Sequence, residues 1–167
     1  MQNIKLLNFI DLKLEEKEMI LKWRNHPDIR KWMYNQDEIK LEEHLNFIES
    51  LKLRKDKFYF LVKKEDEFIG VIDFTQLVNK ESVYMGIYSN PNIKGNGKIL
   101  LNKIIEYSFN NLKVKRVFSE VFAENDKAHN LYKKFNFKDI AEKIINGKKV
   151  IRMELKNDDY KESLCIK

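Results

Sequence analysis

Apolar positions in this chain recur first at helical spacing and then at strand spacing. Leu14 to Asn25 places Met19, Ile20 and Trp23 on one face of a helix, with Pro27 ending it nearby. Leu41 to Lys52 is a clearer helix: Leu41, Leu45, Ile48 and Leu51 recur at i, i+4, i+7 and i+10, and Glu42, Glu43 and Glu49 fill other positions. Between them, Ile29-Arg30-Lys31-Trp32-Met33-Tyr34 is aromatic and expected to be partly buried. Strands follow. Phe58 to Lys63 and Phe68 to Phe74 flank the charged turn Glu65-Asp66-Glu67. Ser82 to Tyr88 alternates, with Val83, Met85 and Ile87 on one face and Tyr84 and Tyr88 on the other. A loop from Ser89 to Asn96 leads into a long helix, Gly97 to Asn111, whose apolar stripe is Ile99, Leu100, Ile104 and Tyr107. Val114 to Phe122 reads as a strand and Asp126 to Phe135 as a helix. Ile140 to Ile145 and Lys149 to Leu155 pair about the hairpin signal Asn146-Gly147. A short strand at Ile4 to Phe9 completes a mixed α/β reading on a largely antiparallel sheet.

The 167 residues fit one domain, 1–167, with a polar tail from Asn157. Hydrophobic residues at 43% and aromatics at 12% exclude intrinsic disorder. The net charge of +6 invites a polyanion partner, but it comes from 27 Lys and only 5 Arg. Nucleic-acid readers lean on the Arg fork, so no nucleic-acid partner is expected. Lys and the 17 Asn have AT-rich codons, and part of the basicity reflects that background. No apolar run approaches the roughly 18–20 residues of a membrane span, and Met1-Gln2-Asn3-Ile4-Lys5 has no signal-peptide core. The lone Cys165 near the C-terminus forms no internal disulfide and suits a reducing cytoplasm. His26, His44 and His129 lack zinc-site spacing, so no metal is expected.

The segment with most chemistry runs from Tyr88 through Asn92-Ile93-Lys94-Gly95-Asn96-Gly97-Lys98 to Leu100. A strand ends, two glycines free the backbone, and a helix begins. Inward-turned amides at a helix N-terminus make an anion site suited to a pyrophosphate, with Lys94 and Lys98 at its rim. The spacing is neither a Walker loop nor a dinucleotide fingerprint. It resembles the Gln/Arg-x-x-Gly-x-Gly/Ala signature of the GNAT acetyltransferase superfamily, with Asn92 at the first position. The run from Asn125 through Ala128, Leu131-Tyr132 and Lys133 to Asn136-Phe137 resembles that superfamily's second landmark. Asn136 stands in the customary Gly position, which Asn fills by adopting the left-handed region. In the amino-terminal third, Trp23-Arg24-Asn25-His26-Pro27-Asp28, Lys31-Trp32-Met33-Tyr34 and His44-Leu45-x-Phe47-Ile48 resemble the sugar-nucleotide N-acetyltransferases of pseudaminic acid biosynthesis.

The resemblance implies a GNAT fold: a mostly antiparallel sheet of about seven strands with about four helices. It implies acetyl-CoA as cosubstrate and a UDP-linked 4-amino-4,6-dideoxy sugar as acceptor, in a cytoplasmic enzyme for which a homodimer is an open option. Ribosomal-protein N-terminal acetyltransferases form the competing family, and a non-catalytic acyl-CoA-binding regulator is the competing class. Ile87, Tyr88, Ile93, Lys94, Gly95, Asn96, Gly97, Lys98, Asn125 and Lys133 form the expected coenzyme set. The backbone at Ile87 and Tyr88 would stabilise the oxyanion, and Asn125 would meet pantetheine or simply cap its helix. Tyr132 is the candidate general acid, since a phenol of pKa ~10 is protonated at neutral pH; its alternative is a core tyrosine. Glu120 is the candidate base. It shares a strand face with Phe118 and Phe122, where desolvation would raise its pKa; its alternatives are an exposed edge, pairing with a Lys, or proton removal by water. Arg24, Met33, Tyr34, His44, Phe47, Tyr84 and Tyr88 form the expected acceptor set, with Arg24 meeting phosphate and the aromatics packing on uracil or sugar. Phe47 has core packing as its alternative, His44 a satisfied surface or core histidine, and Met33 and Tyr34 the sealing of the helix pair.

Overall fold

The computed structural model describes residues 2–160. Its seven strands are β1 (Ile4–Asn8), β2 (Phe58–Lys64), β3 (Glu67–Val78), β4 (Ser82–Ser89), β5 (Arg116–Phe122), β6 (Lys138–Ile145) and β7 (Lys148–Lys156). They form one sheet in the order β1-β2-β3-β4-β5-β7-β6. Only β4 and β5 run parallel, and they pair over just Ser82–Tyr84 against Arg116–Phe118. Beyond Tyr84 and Phe118 the two strands part, and the sheet opens along that line. Five helices flank it: α1 (Leu14–Asn25), α2 (Pro27–Arg30), α3 (Leu41–Ser50), α4 (Gly97–Glu106) and α5 (Asp126–Lys134).

The expected elements stand within a few residues of their places. The single turn α2 is an addition, held because Pro27 is pre-set for a first helical position and His26 Nδ1 accepts the Asp28 amide at 3.1 Å. The long helix after the glycine loop divides: α4 ends at Glu106 and a wider π turn, Tyr107–Asn111, follows. Strand β5 begins at Arg116 rather than Val114. The tail expected from Asn157 begins instead with a helical turn at residues 157–160, and Tyr160 packs on Phe109 with ring centroids 5.1 Å apart. Cys165 lies outside the described residues.

Both sheet faces are covered, which is why β2 and β3 read as nearly continuous apolar runs. On one face Phe60, Val62, Ile72, Phe74, Val83 and Met85 pack against Leu100, Leu101 and Ile104 of α4. On the other, Leu61 and Val71 pack against Ile20 and Trp23 of α1 and Ile48 of α3. The stripe of α3 is rotated from the expected one. Leu41 is 42% exposed, while His44 is buried beside Ile48. The His44 ring can sit inward because its Nε2 donates to the Lys17 carbonyl at 2.9 Å. The turn chemistry holds as expected. Asn146 and Gly147 both have positive φ (52° and 78°), as a type I′ hairpin requires, and Asn136 takes φ 71° in the glycine position.

Candidate active site

A cleft of about 760 Å³ runs through the opening between β4 and β5. Its two walls correspond to the two sheet faces.

The α4 wall is made of backbone. Asn90 anchors it: its amide donates to the Ile69 carbonyl at 2.9 Å, its side-chain amide to the Phe68 carbonyl at 3.0 Å, and its Oδ1 accepts the Asn92 amide at 2.9 Å. The loop then turns through Gly95 at φ +89°, a conformation open to glycine. Among the described residues, the amides of Lys94, Gly95, Asn96, Gly97, Lys98 and Ile99 donate to no backbone carbonyl. They converge at the N-terminus of α4, whose cap residue, Asn96, is buried and makes no side-chain capping bond. Asn96 Oδ1 instead faces Lys64 Nζ at 3.4 Å, so a cation absent from the expected set stands by the loop. Gly97 packs close to Leu131 of α5; a Cβ there would lie 3.1 Å from a Leu131 methyl. Across the opening, Ser119 is buried on β5 with its Oγ unpartnered among the described residues.

Of the expected coenzyme residues, Ile87, Tyr88, Ile93, Lys94, Gly95, Asn96, Gly97 and Asn125 line the cleft. Lys98 and Lys133 do not; Lys133 is exposed and points toward Asp139, 3.9 Å away. Asn125 caps α5 by accepting the Ala128 amide at 3.3 Å, which leaves its amide group free to donate. Tyr132 lines the cleft beside Phe137, and burial followed by the nearby Asp73 carboxylate pushes its phenol up to about 12. It is therefore a protonated donor at neutral pH.

The opposite wall is made of side chains. Arg24 reaches in from α1; one guanidinium nitrogen donates to the Asn35 carbonyl at 3.0 Å and another is buried without a partner. Desolvation lowers its pKa, against the nearby Tyr88 and Tyr59. Phe47 packs edge-on against Tyr59 at 5.0 Å, and Tyr34 packs edge-on against Phe122 at 5.6 Å. Met33 and Tyr84 also line this wall, and Arg152 lies over Tyr84 and Phe118 at 5.3 and 4.5 Å. His44 lines the cleft but is 5% exposed, its Nε2 is taken by the Lys17 carbonyl, and burial lowers its pKa. Its evident role is to join α3 to α1.

Glu120 does not stand as an unpaired carboxylate between two phenylalanines. Lys143 Nζ from β6 lies 2.7 Å from Oε2, and the Tyr34 hydroxyl donates to Oε1 at 2.7 Å. The carboxylate left unpaired is one that strand alternation did not single out, Asp73 on β3. It lines the cleft, is partly accessible, and burial raises its pKa to about 7. The signal for it was an acidic residue inside the apolar run Ile69–Phe74, the costliest position for an unpaired charge.

This split sheet, with an amide-rich turn opening a helix beside the split, defines an acetyltransferase class. A model of the Acetyltransferase (GNAT) family matches residues 18–137, and the chain belongs to that family. It is 48% identical over 134 residues to the acetyltransferase PseH of Campylobacter jejuni subsp. jejuni serotype O:23/36, covering 80% of this chain and 84% of that protein. The crystal structure of Campylobacter jejuni N-acetyltransferase PseH in complex with acetyl coenzyme A matches with TM-score 0.78 and 38% identity, over 93% of this chain and 99% of that one. The spermidine N-acetyltransferase of Vibrio cholerae, in complex with CoA and spermine, matches with TM-score 0.83 at 21% identity, over 95% and 97% of the two chains, and so shares the fold. Among the described residues no helix is long and apolar enough to cross a membrane, and no cluster of metal-ligating side chains occurs.

Proposed function

We propose that the protein transfers the acetyl group of acetyl-CoA to the 4-amino group of a UDP-linked 4-amino-4,6-dideoxy-N-acetyl sugar, UDP-4-amino-4,6-dideoxy-N-acetyl-β-L-altrosamine, in pseudaminic acid biosynthesis. The carrying observation is the continuity of the cleft. One cavity joins the loop residues Lys94–Gly97, Tyr132, and the cationic aromatic wall of Arg24, Tyr34, Phe47 and Tyr84. The names of the relatives favour the same donor and enzyme class.

The loop fits a pyrophosphate because its amides are unpaired and the α4 dipole favours negative charge there. Asn125 would meet the pantetheine arm with the amide its capping bond leaves free. The acceptor amine attacks the thioester carbonyl directly, and the backbone around Ile87 and Tyr88 stabilises the oxyanion. As the C–S bond breaks, Tyr132 protonates the departing thiolate. Arg24 meets the acceptor's phosphates, and the aromatic side chains take the uracil and sugar faces.

The test is acetyl transfer from labelled acetyl-CoA to a panel of UDP-amino sugars and peptides with free N-termini. Label on the 4-amino sugar supports the proposal. Label on peptide N-termini alone overturns the acceptor, and coenzyme binding without thiol release in the presence of every amine overturns the enzymatic reading.

A further inference from the structure

Asp73 has no part in the roles assigned so far, yet its placement is unusual. Its Cα is paired with Tyr59 on β2 and with Gly86 on β4, so its side chain shares the acceptor-side face with Tyr84 and Tyr88. Gly86 makes the space: a Cβ there would lie 2.3 Å from Oδ2 and 2.7 Å from Oδ1 of Asp73. The carboxylate thus lies over the β4 backbone, one residue before the oxyanion-stabilising amides and two beyond the last β4–β5 pair at Tyr84. No hydrogen bond or ion pair satisfies it among the described residues; burial raises its pKa, and the Lys57 charge acts the other way.

The titratable and charged groups around it come from several elements. Tyr59 on β2, Tyr88 on β4 and Tyr132 on α5 are all raised above the ordinary phenol range by burial, with Asp73 itself adding to each. Arg24 on α1 stays a cation, as a guanidinium does, and Lys57 precedes β2. Tyr84 and Glu120 share the face farther along the opening. His44 is lowered by burial. The phenols stay neutral near pH 7, while burial places Asp73 itself at about 7, in the range where a base both ionises and accepts a proton.

The geometry points to Asp73 as the base that accepts the proton of the attacking amine, directly or through one water. This rests on the acetyl-transfer reading above. The ammonium gives one proton to the Asp73 carboxylate; the neutral nitrogen then forms the N–C bond at the carbonyl. The C–S bond breaks, the sulfur takes the Tyr132 proton, and the amide nitrogen gives its second proton to the Tyr132 phenolate, restoring the phenol. Asp73 releases its own to solvent. The net products are amide, free thiol and one proton. Glu120, held by Lys143 and Tyr34, is left to organise the acceptor wall.

Two measurements test it. In the free protein, the Asp73 carboxyl carbon, followed by NMR and assigned with Asp73→Asn, is expected to titrate near 7. A midpoint in the ordinary carboxylate range near 4 overturns the proposal whatever the acceptor proves to be. In steady-state assays, Asp73→Asn is expected to lower kcat about 10²–10³-fold, to keep acetyl-CoA affinity, and to lose the acidic limb of the kcat/KM profile. Glu120→Gln is expected to keep that limb. A limb retained in Asp73→Asn, or lost in Glu120→Gln, overturns it. If the wild type acetylates no UDP-amino sugar, the acceptor reading fails on its own, and the carboxyl titration still judges Asp73. Should Asp73→Asn not fold, Gly86→Ala, which crowds the carboxylate, supplies the assignment.

Discussion

The α4 wall of the cleft offers main-chain amides from one continuous stretch, Lys94–Ile99. The opposite wall offers side chains assembled from distant segments; the Tyr34–Glu120 bond alone spans 86 residues. A backbone wall recognises what every coenzyme molecule carries and is indifferent to most side-chain changes. A side-chain wall can be retuned residue by residue, and under the proposed function acceptor choice would belong there. Damage to the two walls should therefore separate kinetically.

The sharpest break comes from Gly95→Pro. Proline fixes φ near −65° and cannot adopt the +89° of this turn. Coenzyme affinity, measured by calorimetry, should fall by about 100-fold or more, equally for every acceptor. Tyr132→Phe removes the proposed proton donor. It should lower kcat about 10- to 100-fold with acetyl-CoA affinity unchanged. Arg24→Lys keeps the charge but loses the fork, and should raise the acceptor KM about 10-fold while leaving coenzyme affinity alone. Glu120→Gln frees Lys143 and weakens the Tyr34 bond, and should raise the same KM only about 3-fold. A variant of one wall that changed affinity for the other's ligand would break the division.

The smallest effect is on stability and concerns Asp73. Its folded-state value near 7 lies above the unfolded carboxylate value of about 4, so the folded chain holds that proton more tightly. Stability is lost as pH rises through that window. Thermal melts should show Asp73→Asn gaining on wild type from about pH 4 and levelling above pH 7, by roughly several degrees.

Local spacing made the α4 wall legible. The two glycines, the helix onset and the Asn125–Phe137 run each lie within a short stretch, and the turn chemistry of Asn136 and Asn146-Gly147 is decided by a residue and its neighbours. The side-chain wall was legible only as a set of residues. Alternation placed Glu120 on the right face, but its partners come from the loop after α2 and from β6, and nothing near residue 120 announces them. His44 was singled out by its residue type; the Lys17 carbonyl that takes its Nε2 lies 27 residues away, and nothing near residue 44 announces it. Asp73 escaped because strand alternation treats an acid inside an apolar run as an interruption. It became visible only when Gly86 appeared across the ladder.

Three register pairs between β4 and β5 are all that continue the ladder at the middle of the sheet. Mechanically this is a seam: β1–β4 on one side and β5–β7 on the other each have full-length ladders of their own. One apolar core crosses this seam, but the ladder is shortest there, and hydrogen exchange should register earlier loss of protection at Val83 and Tyr84 than in the flanking ladders. A molecule gripping both sides would act as a clasp, raising the exchange barrier at the seam.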